Sequence, residues 1–96
     1  MKTPKKIMQA ARGEPCTFNI VGNCTHSNDT VVACHLPDGS GGSNRLTGPL
    51  SIAFGCGPCH TAIDQNLLRK EDAEFYMRRG MMRTINRLIA MELVKI

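Results

Sequence analysis

The chain has no tryptophan, and aromatic residues make up only 4% of it, so the large rings that usually anchor a compact core are scarce. Six methionines, which are flexible packers, fill part of that deficit. No apolar run approaches the roughly 20 residues needed to span a bilayer, so no membrane segment is expected. The opening stretch MKTPKKIMQAARGEPC carries lysines but lacks the long apolar core of a secretory signal. Internal repeats are absent too, and nothing marks a second domain; the expectation is one domain over residues 1–96. The cysteine count, five, is odd, which excludes a fully paired disulfide framework. A reducing cytoplasm is therefore the expected compartment, where clustered cysteines more often bind metal or catalyse.

A chain of 96 residues buries a smaller share of its surface than a larger one, so its core is expected to need a supplement. The net charge of +4 and pI of about 9.0 tilt its partners toward polyanions without naming one.

Thr3 and Pro4 fit an N-cap and first helical position, followed by Ile7, Met8 and Ala11 at helical spacing and Gly13 as a stop; a helix over about 4–12 is expected. CTFNIVGNC, residues 16–24, reads as a short extended segment and a turn. TVVAC at 30–34 and LSIAF at 50–54 read as strands. The Gly-rich stretch between them reads as a long hairpin loop, a type that is usually functional. Pro58 suits the first turn of a helix over about 58–69. The remainder repeats apolar residues at 75, 81/82, 85, 88/89 and 93, a helical period, with Gly80 as the point of division into two helices.

Cys56-Gly57-Pro58-Cys59 poses a choice between a redox dithiol and half of a metal site. The same tetrapeptide serves thioredoxin, but that fold needs later strands and a cis-proline. No proline follows Pro58, and the 37 residues after Cys59 read as helix. The metal reading uses more of the chain. Cys16 and Cys24 bracket a turn, Cys56 and Cys59 form a knuckle at a helix start, and four thiolates satisfy the tetrahedral preference of Zn²⁺. Such a structural zinc would tie the N-terminal segment to the helix and supply the staple a small core lacks. Against it stands the plainer reading of four small buried residues.

A second constellation follows. His60 and Asp64 stand at i and i+4 on one helix face, a spacing at which two ligands can share a divalent cation. His35, ending the first strand, is a candidate base acting on water. The alternative is a surface histidine and an ordinary polar pair.

Taken in order, the cysteine pair, the strand ending in His35, the Gly-rich loop, the second strand and Cys-x-x-Cys-His on a helix resemble the HNH, or ββα-metal, nucleases. AARGEPC…VGNC…VVACHL…IAFGCGPCHTAID is similar, over about Ala10 to Asp64, to the small prophage-encoded nuclease family typified by YbcO. The resemblance implies an α+β fold, a zinc-stapled ββα-metal domain with a core over about 14–69, a short N-terminal helix and a helical segment over about 70–95. It implies a metal-dependent DNA endonuclease in the cytoplasm of a bacterial host. His35 would be the general base and His60 with Asp64 the site of a catalytic cation. Cys16, Cys24, Cys56 and Cys59 would hold structural zinc.

Two positions depart from the pattern. Cys34 stands where an Asp or His ligand is common, and as a soft thiol it would shift the cation from Mg²⁺ toward Mn²⁺, Ni²⁺ or Zn²⁺. Ser51 falls near the middle Asn, a role that Asn44 in the loop is also placed to take. These departures keep a second class open, a non-catalytic zinc-containing DNA-binding or adaptor module.

Arg79, Arg83 and Arg87 recur every four residues, with Arg78 beside them, and make a stripe suited to phosphates. Lys2, Lys5, Lys6 and Arg12 form a second basic cluster. Neither has aromatics interleaved, so the expected contact is with the backbone of double-stranded DNA. The plainer reading of the stripe is a solvated face compensated by Glu71, Asp72 and Glu74.

Overall fold

The computed structural model describes residues 3–36 and 49–95. Its elements run α1 (Lys5–Ala10), β1 (Val32–His35), β2 (Ile52–Gly55), α2 (Gly57–Asp64) and α3 (Lys70–Ala90). The strands pair antiparallel, Val32 opposite Gly55 and His35 opposite Ile52, to make a two-stranded sheet. The result is a small α+β fold in which α3 packs along β2 and α1 sits against β1.

Several element boundaries differ from expectation, each for a local reason. Pro4, not Thr3, caps α1, its carbonyl accepting from the N–H groups of Ile7 and Met8. Residues 16–24 are irregular with the expected turn at 21–23, and the Thr17 N–H donates to the Phe54 carbonyl at 2.7 Å on the outer edge of β2. Helix α2 stops earlier than 69 because Asn66 takes φ +54°, and the Leu67 N–H then turns back to the Ala62 carbonyl. That left-handed residue closes the helix in the manner of a C′ glycine. The Gly-rich loop reading, with Asn44, lies outside the described residues, as does Lys2.

Gly80 does not divide the C-terminal segment; α3 is one helix of 21 residues, about 30 Å long. Its buried residues are Gly80, Thr84 and Leu88, a stripe at four-residue spacing, whereas Phe75 and Met82 are exposed. The helix thus turns small residues toward the sheet, and the core ring comes from elsewhere in the chain. Phe18 is fully buried between two glycines. A Cβ on Gly55 would stand 2.5 Å from one edge of the ring, and a Cβ on Gly80 would stand 2.8 Å from the other.

Thr84 completes the contact. The Phe54 N–H donates to its hydroxyl oxygen at 3.0 Å, and that hydroxyl donates to Thr17 Oγ1 at 3.3 Å. Thr17 in turn donates its hydroxyl to the Phe54 carbonyl at 2.8 Å. Both threonines are buried and both are satisfied, as an interior position requires.

Gly80→Ala therefore sets a helix-propensity gain of about 1 kcal/mol against overpacking that typically costs about 1–3 kcal/mol. Because Gly55 blocks the ring's retreat, overpacking should win: the urea midpoint of Gly80→Ala should fall below wild type. Asn86→Ala, on the exposed face of α3, should match or exceed wild type in the same measurement.

Candidate functional site

The local backbone explains how distant cysteines come together. Around Cys24 the chain doubles back through Asn19 (φ +50°), Gly22 (φ +85°) and His26 (φ +59°), and the Cys24 N–H donates to the Ile20 carbonyl at 2.9 Å. Cys56 is the N-cap of α2 and Cys59 lies in its first turn, where Pro58 leaves no N–H unpaired. The four ligand atoms of Cys16, Cys24, Cys56 and Cys59 all lie within 4.8 Å of one another. Zn–S bonds of 2.3 Å in a tetrahedron would place sulfurs about 3.8 Å apart, so a small contraction of this cluster fits a metal ion such as zinc.

The electrostatics divide the four thiols. Burial pushes the Cys16 and Cys59 thiols up. At Cys56 burial also acts upward, but hydrogen bonds from the backbone at Thr25 and Cys59 and from the neighbouring thiols outweigh it and bring the group down to about 7. Cys24 Sγ accepts from the His26 N–H at 3.4 Å and from Asn19 Nδ2 at 3.7 Å. Donors aimed at sulfur stabilise thiolate, the form that binds metal.

Arginines of α3 hold this segment from the other side. Arg79 donates to the Phe18 and Asn19 carbonyls at 2.6 and 3.2 Å. Arg83 donates to the Thr17 carbonyl at 3.3 Å and to Asn19 Oδ1 at 2.8 Å. Arg87 forms a two-pronged pair with Glu14. The stripe borders a cleft of about 480 Å³ with Cys16, Thr17 and Phe54 in its wall. Three of the four arginines expected to meet phosphate are thus engaged with residues 14–19. Arg78 is exposed and makes no ion pair among the described residues. Nor is the stripe free of aromatics: the Arg79 guanidinium lies 5.1 Å from the ring centres of both Phe75 and Tyr76.

The second constellation is less gathered. His60 Nε2 and Asp64 Oδ2 approach to 4.0 Å on the exposed side of α2. His35 is exposed at the end of β1. Cys34 does not fit the role of a third cation ligand. Its thiol is buried, bonds weakly to the Val32 carbonyl of its own strand, and is pushed up to about 12 by desolvation. Among the described residues, the four cysteines are the one converging set of three or more His, Cys, Asp or Glu ligands. The Ser51 backbone carbonyl accepts from the Leu36 N–H beside β1, at 2.9 Å.

The profile of the family described as "Putative nuclease YbcO" matches residues 5–93. This chain belongs to that family. A solved structure of a "putative bacteriophage protein from Escherichia coli str. K-12 substr. MG1655" aligns with a TM-score of 0.74 at 26% identity, covering 88% of this chain and 98% of that one. No curated protein matches the chain significantly. The YbcO match takes in the cysteine cluster, the strand pair and all of α3, so the arginine contacts lie inside the family's span.

Glu14, Thr17 and Thr84 were not singled out from sequence, although all three serve this centre. One signal was available: Gly80, Thr84 and Leu88 repeat one position after Arg79, Arg83 and Arg87. A buried stripe and an adjacent cationic stripe on one helix indicate arginines at the border of an interface.

Elemental mass spectrometry on protein purified without a metal-affinity tag should find about one metal ion per chain, the occupancy of a single four-thiolate site. Cys24→Ser should lose that ion, and Cys34→Ala, outside the cluster, should keep it. Equal loss from both variants would dissolve the assignment.

Proposed function

We propose that this YbcO-family chain is a metal-dependent DNA endonuclease of HNH type, of phage or prophage origin, acting as one domain in the bacterial cytoplasm. The reading rests on one observation: a β hairpin followed directly by α2, with His35 exposed at the end of β1 and half-buried His60 paired with exposed Asp64 on the helix. Such a layout leaves an imidazole and a cation-binding pair open to a phosphodiester from solvent.

In this proposal Cys16, Cys24, Cys56 and Cys59 hold structural zinc, which fixes the start of α2 and hence the positions of His60 and Asp64. His35 takes the proton from the water that attacks phosphorus, and the leaving group departs as a 3′ oxygen. A divalent cation on His60 and Asp64, Mg²⁺, Mn²⁺, Ni²⁺ or Zn²⁺, supplies charge stabilisation for the phosphate and the leaving oxygen. Arg78, with the partly exposed edges of Arg83 and Arg87, attracts the backbone of double-stranded DNA. Phe75 and Tyr76 are occupied with Arg79 and with each other, at 5.3 Å between ring centres, which keeps the emphasis on phosphate contact.

The second reading, a zinc-containing DNA-binding or adaptor module without catalysis, is favoured by Cys34. A buried protonated thiol replaces a hard ligand there, leaving the cation two protein groups.

Supercoiled-plasmid nicking with each cation in turn separates the two. The nuclease reading expects nicking that falls by about 100-fold or more in His35→Ala, since general bases contribute roughly 10²–10⁴. The variant's metal content should be unchanged. Equal cleavage by both proteins would remove His35 from the mechanism. Steeply salt-dependent DNA binding with no nicking under any cation would establish the binding module instead.

A further inference from the structure

Thr3 stands where sequence suggests a helix cap, yet its hydroxyl is engaged elsewhere. Oγ1 lies 2.8 Å from the Pro49 carbonyl oxygen and 3.3 Å from His35 Nε2. A carbonyl only accepts, so the one hydroxyl proton of Thr3 goes to Pro49. Toward His35 the same oxygen then has only lone pairs to offer. The contact is a hydrogen bond only if Nε2 carries a proton, and in a neutral imidazole that leaves Nδ1 with the free lone pair.

From this geometry we infer that Thr3 is a positioning residue for His35. It relays the Pro49 carbonyl to Nε2, holds the neutral ring as the Nε2–H tautomer, and leaves Nδ1 as the atom that accepts a proton from water. The inference rests on the reading of His35 as base, though the tautomer itself can be observed without any cleavage. An exposed histidine at a strand end has little packing to fix its ring. Here the restraint comes from two other parts of the chain, Thr3 ahead of the Pro4 cap of α1 and Pro49 in the residues leading into β2. The preorganised proton acceptor a general base needs is supplied by a side chain remote from it in sequence.

The test is a long-range ¹H–¹⁵N spectrum of the full chain labelled with ¹⁵N-histidine, at about pH 8.5, some two units above the ordinary imidazole value. His35→Gln assigns the His35 signals among the three histidines. Wild type should show His35 as the Nε2–H tautomer, with Nδ1 in the unprotonated range. Thr3→Val should move it toward a mixture of tautomers, and Thr3→Ser, which keeps the hydroxyl, should restore the wild-type pattern. In the nicking assay Thr3→Val should lower kcat by up to about tenfold, part of what a general base supplies, with KM little changed and recovery in Thr3→Ser.

A wild-type His35 that is Nδ1–H or already mixed would overturn the inference, as would a Thr3→Val spectrum identical to wild type. The Nε2–H pattern without nicking would overturn the nuclease reading while supporting the contact between Thr3 and His35. Nicking that survives Thr3→Val at full rate would show that the hydroxyl does not position the base.

Discussion

Phe18 lies between two glycines that leave its ring no second position, and most of the structure is arranged around that fact. Gly55 closes on it from the hairpin and Gly80 from α3. The ring comes from an irregular segment, and burying it forces the flanking residues into place. Cys16 is carried to Cys56 and Cys59, Thr17 to the open edge of β2, and Ile20 to the turn that presents Cys24. In a chain with few aromatics, one wedged ring performs the alignment that several large side chains share in a richer core.

The cost of such an arrangement is a stretch of backbone with no sheet or helix to satisfy its carbonyls. Buried or half-buried carbonyls without partners are unfavourable, and guanidinium groups with several fixed donors answer several at once. Arg79 and Arg83 do this for residues 17–19, and Arg87 holds Glu14. The same periodicity that reads as a phosphate-binding stripe therefore also braces the cysteine cluster. Both uses follow from one property, a row of donors on a single helix face. The tertiary contacts decide how many of those donors remain for an outside anion.

The two candidate metal environments are separated by chemistry as well as by position. The four-thiol cluster is largely buried, with backbone and side-chain donors directed at sulfur, which suits a soft-ligand ion that is not exchanged. The His60–Asp64 pair is open to water and offers nitrogen and oxygen, which suits a hydrated cation in contact with a substrate. Cys34 belongs to neither. It faces the core beside Phe18 and Gly55, where burial keeps it protonated.

The strands, the helices and the grouping of Cys16, Cys24, Cys56 and Cys59 were legible from sequence because each depends on local rules: β-branched runs, helical spacing, proline at a helix start, and the small set of ways thiols pair with metal. YbcO-family membership was legible for a related reason, since it rests on the order and spacing of those same elements. What the sequence could not decide was direction. Periodicity places Phe75 and Met82 on an apolar stripe of α3 but does not say that the sheet meets the neighbouring face of Gly80, Thr84 and Leu88, since small residues gain their value only from the ring opposite them. It marks Thr3 as a cap but cannot see Pro49 and His35, more than thirty residues away. Local sequence sets which elements form and which ligands are available. Packing around Phe18 decides which face is buried, which arginines are spent inside the molecule, and which groups are left open to act on something else.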